Sequence, residues 1–365
     1  MLEAAAIPIP LPEELIGEIL LRLPVRSLLQ FKCVCKSWKI LISGSHFIKS
    51  HVRISTSDPT ITNQQLVFSF RKQPWEIVSY PLKPLFQDPS NPVKPGTFTY
   101  SEESFHRIIG SCNGLLCLLD TFPPRCCVVL CNPSLRFISK NSSEPISKDW
   151  FMMNYGFGYD QVNDKYKVLL VVRCKKPDYQ ILTKIYTFGQ DDYWKTIPNY
   201  PYDDPLLIGK FVSGTLNWIV SHENTIISFD IQKETYMKML LPQNDSDNNV
   251  CKFQELSVLS DCLCVSEYFD SQHFHLVLWM MKEYGVVESF TKFMVIPYDK
   301  FIRNQPCSIK LFFISENGIL MVIMDSQLIL YNSNTAVALD PLITMKLGRD
   351  HHIYCESLVS LPCYR

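Results

Sequence analysis

The side chains able to do chemistry here are fourteen cysteines and eight histidines in 365 residues. Cys33-Val-Cys35 and Cys262-Leu-Cys264 each place one residue between two sulfurs. A structural zinc site needs a C-x₂₋₄-C pair followed by a second pair, and neither segment offers it. Cys126-Cys127 would face opposite sides of a strand, which is no chelate. His273 and His275 could face one ion from a strand, but no third ligand follows at a matching spacing. His351-His352 is expected in a loop near the end of the chain. G-x-S-x-G, P-loop, Rossmann glycine and H-E-x-x-H patterns are absent. These residues predict no catalytic site, no metal and no cofactor. The cysteines read as reduced core thiols, because the N-terminus lacks the basic start and long apolar run of a secretory signal.

The elements that carry these residues fall into two kinds. Between Pro8 and Phe47 three helix signals crowd together. Pro12 suits the first helical position, and Glu13 and Glu14 face the positive end of the dipole. Leu15, Ile16, Ile19, Leu20 and Leu23 then form a stripe at helical spacing, with Leu21 off it. Pro24 ends this helix and starts a second, whose apolar face is Val25, Leu28 and Leu29. Val34, Trp38, Leu41 and Ile42 give a third. A segment of roughly 40 residues rarely hides this much apolar surface by itself, so another wall is needed. Either a partner supplies it, or the remainder of this chain does. Lys32, Lys36 and Lys39 make a basic stripe that reads as a solvated face.

Residues 51–63 are polar and turn-rich, and are expected to be a linker. Beyond them, short runs rich in Val, Ile, Phe and Tyr take over. Tight-turn pairs occur at Asn113-Gly114, Asn163-Asp164, Ser213-Gly214, Ser260-Asp261 and Asn317-Gly318, about 50 residues apart, and a second turn follows each. Each unit thus offers four short strands, the content of a propeller blade. Five units are legible. A sixth could combine Leu66–Phe70 and Ile77–Tyr80 with the last run, 353–361, which would close the ring and remove exposed edges. The expected fold is therefore an all-α three-helix module followed by an all-β propeller, six blades predicted and seven possible. An irregular β-sandwich is the competing arrangement. Trp218 reads as blade core, and Trp150 as the best candidate for an exposed aromatic.

Leu11-Pro12, Leu15, Glu18-Ile19-Leu20, Leu23-Pro24-Val25, Ser27-Leu28-Leu29 and Cys33-Val34-Cys35-Lys36-Ser37-Trp38 resemble the plant form of the F-box motif almost position for position. The runs IIGSCNGLLCL, VLCNPSLRFI, YGFGYDQVNDKYKVL, VSGTLNWIV and IISFDIQKET resemble the F-box-associated, kelch-like domain of plant F-box proteins, including the S-locus F-box type. The double-glycine and paired-aromatic signatures of true kelch repeats are missing. The resemblance implies an F-box over 8–50, a linker over 51–63 and a propeller over 64–365. It further implies docking on a Skp-type adaptor, and through it a cullin, by Leu11, Pro12, Leu15, Ile19, Leu20, Pro24, Leu28 and Leu29. Leu23, Val34 and Trp38 would anchor the module internally. Gly17 would allow the close approach of another backbone.

On that reading the chain is a non-catalytic substrate-recognition subunit of a ubiquitin ligase, with propeller loops binding an unknown target protein. The candidate loops are 141–149, 199–205, 243–249 and 299–306. A net charge of −1 gives no footprint for nucleic acid or an anionic membrane, and no apolar run is long enough to span a bilayer. An intracellular location, cytoplasmic or nuclear, is expected. Two other classes stay open at this point: a propeller scaffold outside any ligase, and an enzyme whose polar groups would converge at the central channel.

Overall fold

The computed structural model describes residues 11–360 except 58–62, 71–74, 89–92, 101–106, 121–124, 141, 146–149, 175–179, 190–192, 199, 201–206, 243–251, 270–274, 298–308, 316, 325–326, 336 and 340–347. Four helices come first: α1 Glu13–Leu21, α2 Val25–Phe31, α3 Lys36–Ser43 and α4 Ser45–Ser57. Pro12 and Pro24 sit just before α1 and α2 as caps, one position earlier than the sequence suggests. The stretch read as a linker is helical through Ser57. Its polar residues lie on an amphipathic helix whose buried side carries His51 and Ser55.

Among the described residues the strands form six sheets. Each is built on antiparallel pairs, with Leu207–Ile208 adding a short parallel strand beside Trp150–Asp160, and the architecture is a six-bladed propeller. The first blade joins Gln64–Phe70, Trp75–Pro81 and Gly96–Tyr100, with the chain's last strand, Arg349–Cys355, paired to Gln64–Phe70. One further helix, α5 Leu82–Gln87, follows Trp75–Pro81. The inner strands of the next five blades are Arg107–Cys112, Trp150–Asp160, Lys210–Val212, Lys252–Leu259 and Ile309–Ile314. Ring closure therefore uses both ends of the chain, as expected, but with strand 349–355 rather than 353–361. His351 and His352 are thus in a strand, not a loop; pairing with residues 64–70 makes the difference.

Two-residue turns set the blade registers. Asn113 and Gly114 have φ 50° and 75°, Ser213 and Gly214 48° and 77°, and Ser260 and Asp261 48° and 59°. Positive φ at both central residues is the type I′ geometry that matches the twist of paired strands. The strands after these turns are buried along their whole length at Leu115–Asp120 and Thr215–Val220, because neighbouring blades cover both faces. Trp218 lies there in the blade core. Trp150 is half-buried at a strand end, with Lys184 Nζ 5.0 Å from its ring centre. Of the candidate target loops, 142–145 forms an edge strand and Tyr200 is buried; 243–249 and 299–306 lie outside the described residues.

Candidate adaptor-docking surface

The helical module has one sealed side and one open side. Its core is Leu20, Val25, Leu28, Ile42 and Phe47, and the sixth member is Leu358, more than 300 residues away. Leu135 from the second blade packs against the same cluster. Trp38 packs there too, edge-on to Phe31 with ring centres 5.4 Å apart. His51 stacks on Phe47 and bonds through Nε2 to the Leu23 carbonyl at 2.9 Å. Burial holds the His51 imidazole below its ordinary pKa.

A strap formed by residues 355–360 fastens this side to the ring. Asn132 Nδ2 donates to the carbonyls of Ser357 at 3.0 Å and Val359 at 2.9 Å. The Glu356 N–H donates to the Asn63 carbonyl at 3.0 Å, and the Cys355 thiol donates to that of Ser55 at 3.7 Å. A surface ion pair, Lys49 Nζ to Asp164 Oδ2 at 2.7 Å, joins α4 to the third blade.

The open side carries apolar residues that nothing among the described residues covers. Leu15 and Ile19 on the outer face of α1, and Leu11 just before it, are each half exposed or more. Ile40 on α3 is 74% exposed, and Leu41 and Val34 are exposed as well. An open groove of about 330 Å³ runs between α1, α3 and α4, with Gly17, Leu21, Ile40, Leu41 and Phe47 in its lining and Glu14 and Glu18 at its edge. A Cβ on Gly17 would meet nothing within 4 Å among the described residues.

Against the sequence expectations, these helices divide the named residues differently. Leu11, Pro12, Leu15, Ile19 and Pro24 are at the surface and Leu29 is half-buried. Leu20 and Leu28, expected to touch an adaptor, are 1% and 0% exposed and form the module's own core. Val34 shows the reverse: expected inside, it lies in the α2–α3 turn, because α3 starts only at Lys36 behind a Cys35 cap. Leu23 and Trp38 do pack inside. A helical stripe marks apolar positions but cannot say which of two apolar faces turns inward. Cys33 and Cys35 are exposed rather than core thiols, while Cys117, Cys126, Cys131, Cys174 and Cys264 are buried. Cys35 lies 3.1 Å from the Ser37 hydroxyl, and this bond holds its thiol below the ordinary pKa.

Among the described residues no group of three His, Cys, Asp or Glu side chains could hold a metal ion. His275 opens a strand, and His273 lies outside the described residues. No described helix is long and apolar enough to cross a membrane.

A small helical module, apolar on its free side, is strapped to a closed β ring, the two-part build of a helical domain followed by a propeller. The chain belongs to the F-box proteins with an F-box associated beta propeller domain: that family's propeller matches residues 66–361, and the F-box domain matches residues 10–50. An F-box/kelch-repeat protein of Arabidopsis thaliana is 30% identical over 362 residues, covering 96% of this chain and 95% of its own. The F-box protein CPR1 of the same plant is 27% identical, covering 80% of this chain and 75% of its own.

Proposed function

We propose that this protein is the substrate-recognition subunit of a Skp–cullin–F-box ubiquitin ligase, acting in the cytoplasm or nucleus. The open face of α1 docks a Skp-type adaptor and through it a cullin, and the propeller holds a target protein. The observation that carries this reading is the exposed Leu11, Leu15 and Ile19 patch on a module whose opposite side is already sealed by Leu358 and Leu135. Covering each such side chain contributes roughly 1.5–3 kcal/mol. Such a patch is a docking face rather than an unfinished core.

The chain supplies proximity and not bond chemistry. Holding the target near a ubiquitin-charged enzyme raises the effective concentration of its lysines. The rigid strap contributes by fixing the distance between the two surfaces.

Co-purification of the full chain with a Skp-type adaptor tests this. The double variant Leu15→Asp/Ile19→Asp is expected to lose capture while its unfolding curve stays that of the parent. Full capture by the folded double variant would refute the assignment of this face.

A further inference from the structure

Among the described cysteines only Cys33 and Cys35 are exposed, and they stand either side of Val34 in the turn between α2 and α3. Backbone bonds hold this turn: the Cys33 N–H donates to the Gln30 carbonyl at 3.0 Å, and the Val34 N–H to that of Phe31 at 3.1 Å. Cys35 is extended, with φ −154° and ψ 167°, and caps α3. Its carbonyl accepts the Lys39 N–H at 3.1 Å. Val34 is itself 62% exposed, so the whole tripeptide is open to a reagent. Two trans peptide units hold Cα atoms two residues apart at roughly 5–7 Å, a separation that a disulfide spans.

The two thiols are in a different state from the others in the chain. The Ser37 hydroxyl lies 3.1 Å from the Cys35 sulfur and can donate to a thiolate there, which holds this thiol below its ordinary pKa. Ser37 belongs to the first turn of α3, where the helix dipole also favours negative charge. Lys36 and Lys39, both exposed, make the surface around it basic. Elsewhere burial works the other way. It pushes Cys112, Cys264 and Cys355 up to about 12 and raises Cys117, Cys131 and Cys174 as well. The thiolate is the nucleophile of thiol–disulfide exchange. An exposed, hydrogen-bonded thiol with a second thiol in the same turn is the arrangement of an attacking and a resolving cysteine.

We propose that Cys35 and Cys33 form a reversible dithiol–disulfide site on the open side of the module, oxidised by a low-molecular-weight disulfide of the glutathione class. The Cys35 thiolate attacks one sulfur of the oxidant. A bond from Cys35 to glutathione forms, the S–S bond of the oxidant breaks, and the departing glutathione thiolate takes up the proton that Cys35 lost. Cys33, deprotonated in turn, attacks the Cys35 sulfur. The Cys33–Cys35 bond forms as the second glutathione leaves with the Cys33 proton. In sum the protein dithiol gives up two electrons and two protons, and oxidised glutathione becomes two molecules of reduced glutathione. The bridge ties the end of the α2 turn to the cap of α3. This chemistry does not depend on what the open face docks.

Exchange of the reduced full-length protein with oxidised glutathione at neutral pH, stopped by alkylation and read by peptide mass, tests the assignment. The peptide carrying residues 33–35 is expected to lose two hydrogens and both alkylation sites, and to regain them with dithiothreitol. Cys117, Cys131 and Cys264 should stay reduced throughout. Cys33→Ser should stop at a mixed disulfide between Cys35 and glutathione. Cys35→Ser, which keeps a good helix cap, should react at Cys33 about tenfold more slowly than the parent reacts. Ser37→Ala should slow the first step severalfold while its unfolding curve stays that of the parent. The proposal is overturned if the folded parent keeps both thiols open to alkylation, or if it ends with glutathione on Cys35 and no internal bridge. Equal reaction rates of folded Cys33→Ser and Cys35→Ser would also overturn it, because Cys35 would then not be the attacking thiol.

Discussion

The helical module and the propeller solve the same burial problem in opposite ways. The inner layers of each blade hide both faces against neighbouring blades, so strands such as Leu115–Asp120 and Thr215–Val220 are buried throughout, while an outermost strand such as Thr235–Leu240 stays largely in solvent. The module hides one face against Leu358 and Leu135 and leaves Leu11, Leu15, Ile19 and Ile40 in solvent. Where a structure is closed by its own covalent chain, its remaining surface is free to be polar. Where it is left half open among the described residues, an apolar surface persists that another molecule can cover. The comparison makes distinct demands on mutations in the two regions.

The largest effect belongs to the ring. Lys167 lies between the third and fourth blades, with Nζ 3.1 Å from both Asp160 Oδ2 and Glu234 Oε1 and 2.9 Å from the Ile231 carbonyl. The Asp160 side chain is fully buried, so Lys167→Ala strands a carboxylate with no cation. A loss of about 3–5 kcal/mol is expected in urea unfolding followed by blade tryptophan fluorescence. A loss below about 1 kcal/mol would mean that the blades are not clamped there.

Next comes the seam between the regions. Gly114 has φ 75°, and a Cβ there would lie 2.3 Å from Ser357 Cβ and 2.6 Å from the Cys355 carbonyl oxygen. Gly114→Ala combines backbone strain with a collision against the strap. The expected cost is about 1–3 kcal/mol, with faster proteolysis between residues 355 and 360. Unchanged cleavage would show that the strap tolerates displacement.

The third effect is acid sensitivity of the ring. Burial, with Lys210 second, lowers His352 to about 3, and burial, with Lys310 second, lowers His351 to about 4. Both folded values lie below the ordinary histidine value of about 6.5. The unfolded chain therefore takes up protons first as pH falls. The stability each neutral ring contributes is complete above pH 6.5 and is lost toward the folded pKa, at about 1.4 kcal/mol per pH unit for each histidine. Equilibrium unfolding at pH 7, 6 and 5 should show this slope, and His352→Gln should reduce it. A flat profile would contradict the burial of these rings.

The smallest effect is expected at the exposed pair between α4 and the third blade. Both partners of Lys49–Asp164 are mostly in solvent, so Lys49→Ala should change stability by no more than about 1 kcal/mol. A larger loss would show the module held to the ring by charge rather than by Leu358 and the strap.

How far the sequence revealed this molecule depended on the range of the contact involved. Blade number and hairpin registers rest on adjacent residues, such as Asn113-Gly114 and Ser213-Gly214, and were visible. So was the apolar excess of the first helices. What escaped was non-local. Nothing near Leu358 marks it as a core residue of a module at the other end of the chain. His351 and His352 look like loop residues until strand 64–70 pairs with them. Leu20 and Leu28 share the composition of the exposed stripe, and only the packing of α3, α4 and Leu358 turns them inward.

The central claim is that the free face of the module, and not the ring, is the surface left for the adaptor. Hydrogen–deuterium exchange of the full chain with and without a Skp-type adaptor addresses it directly. New protection is predicted on α1 and on the segment 33–41, with the blade strands unchanged. Protection confined to the blades, with α1 exchanging as in the free protein, would contradict the account.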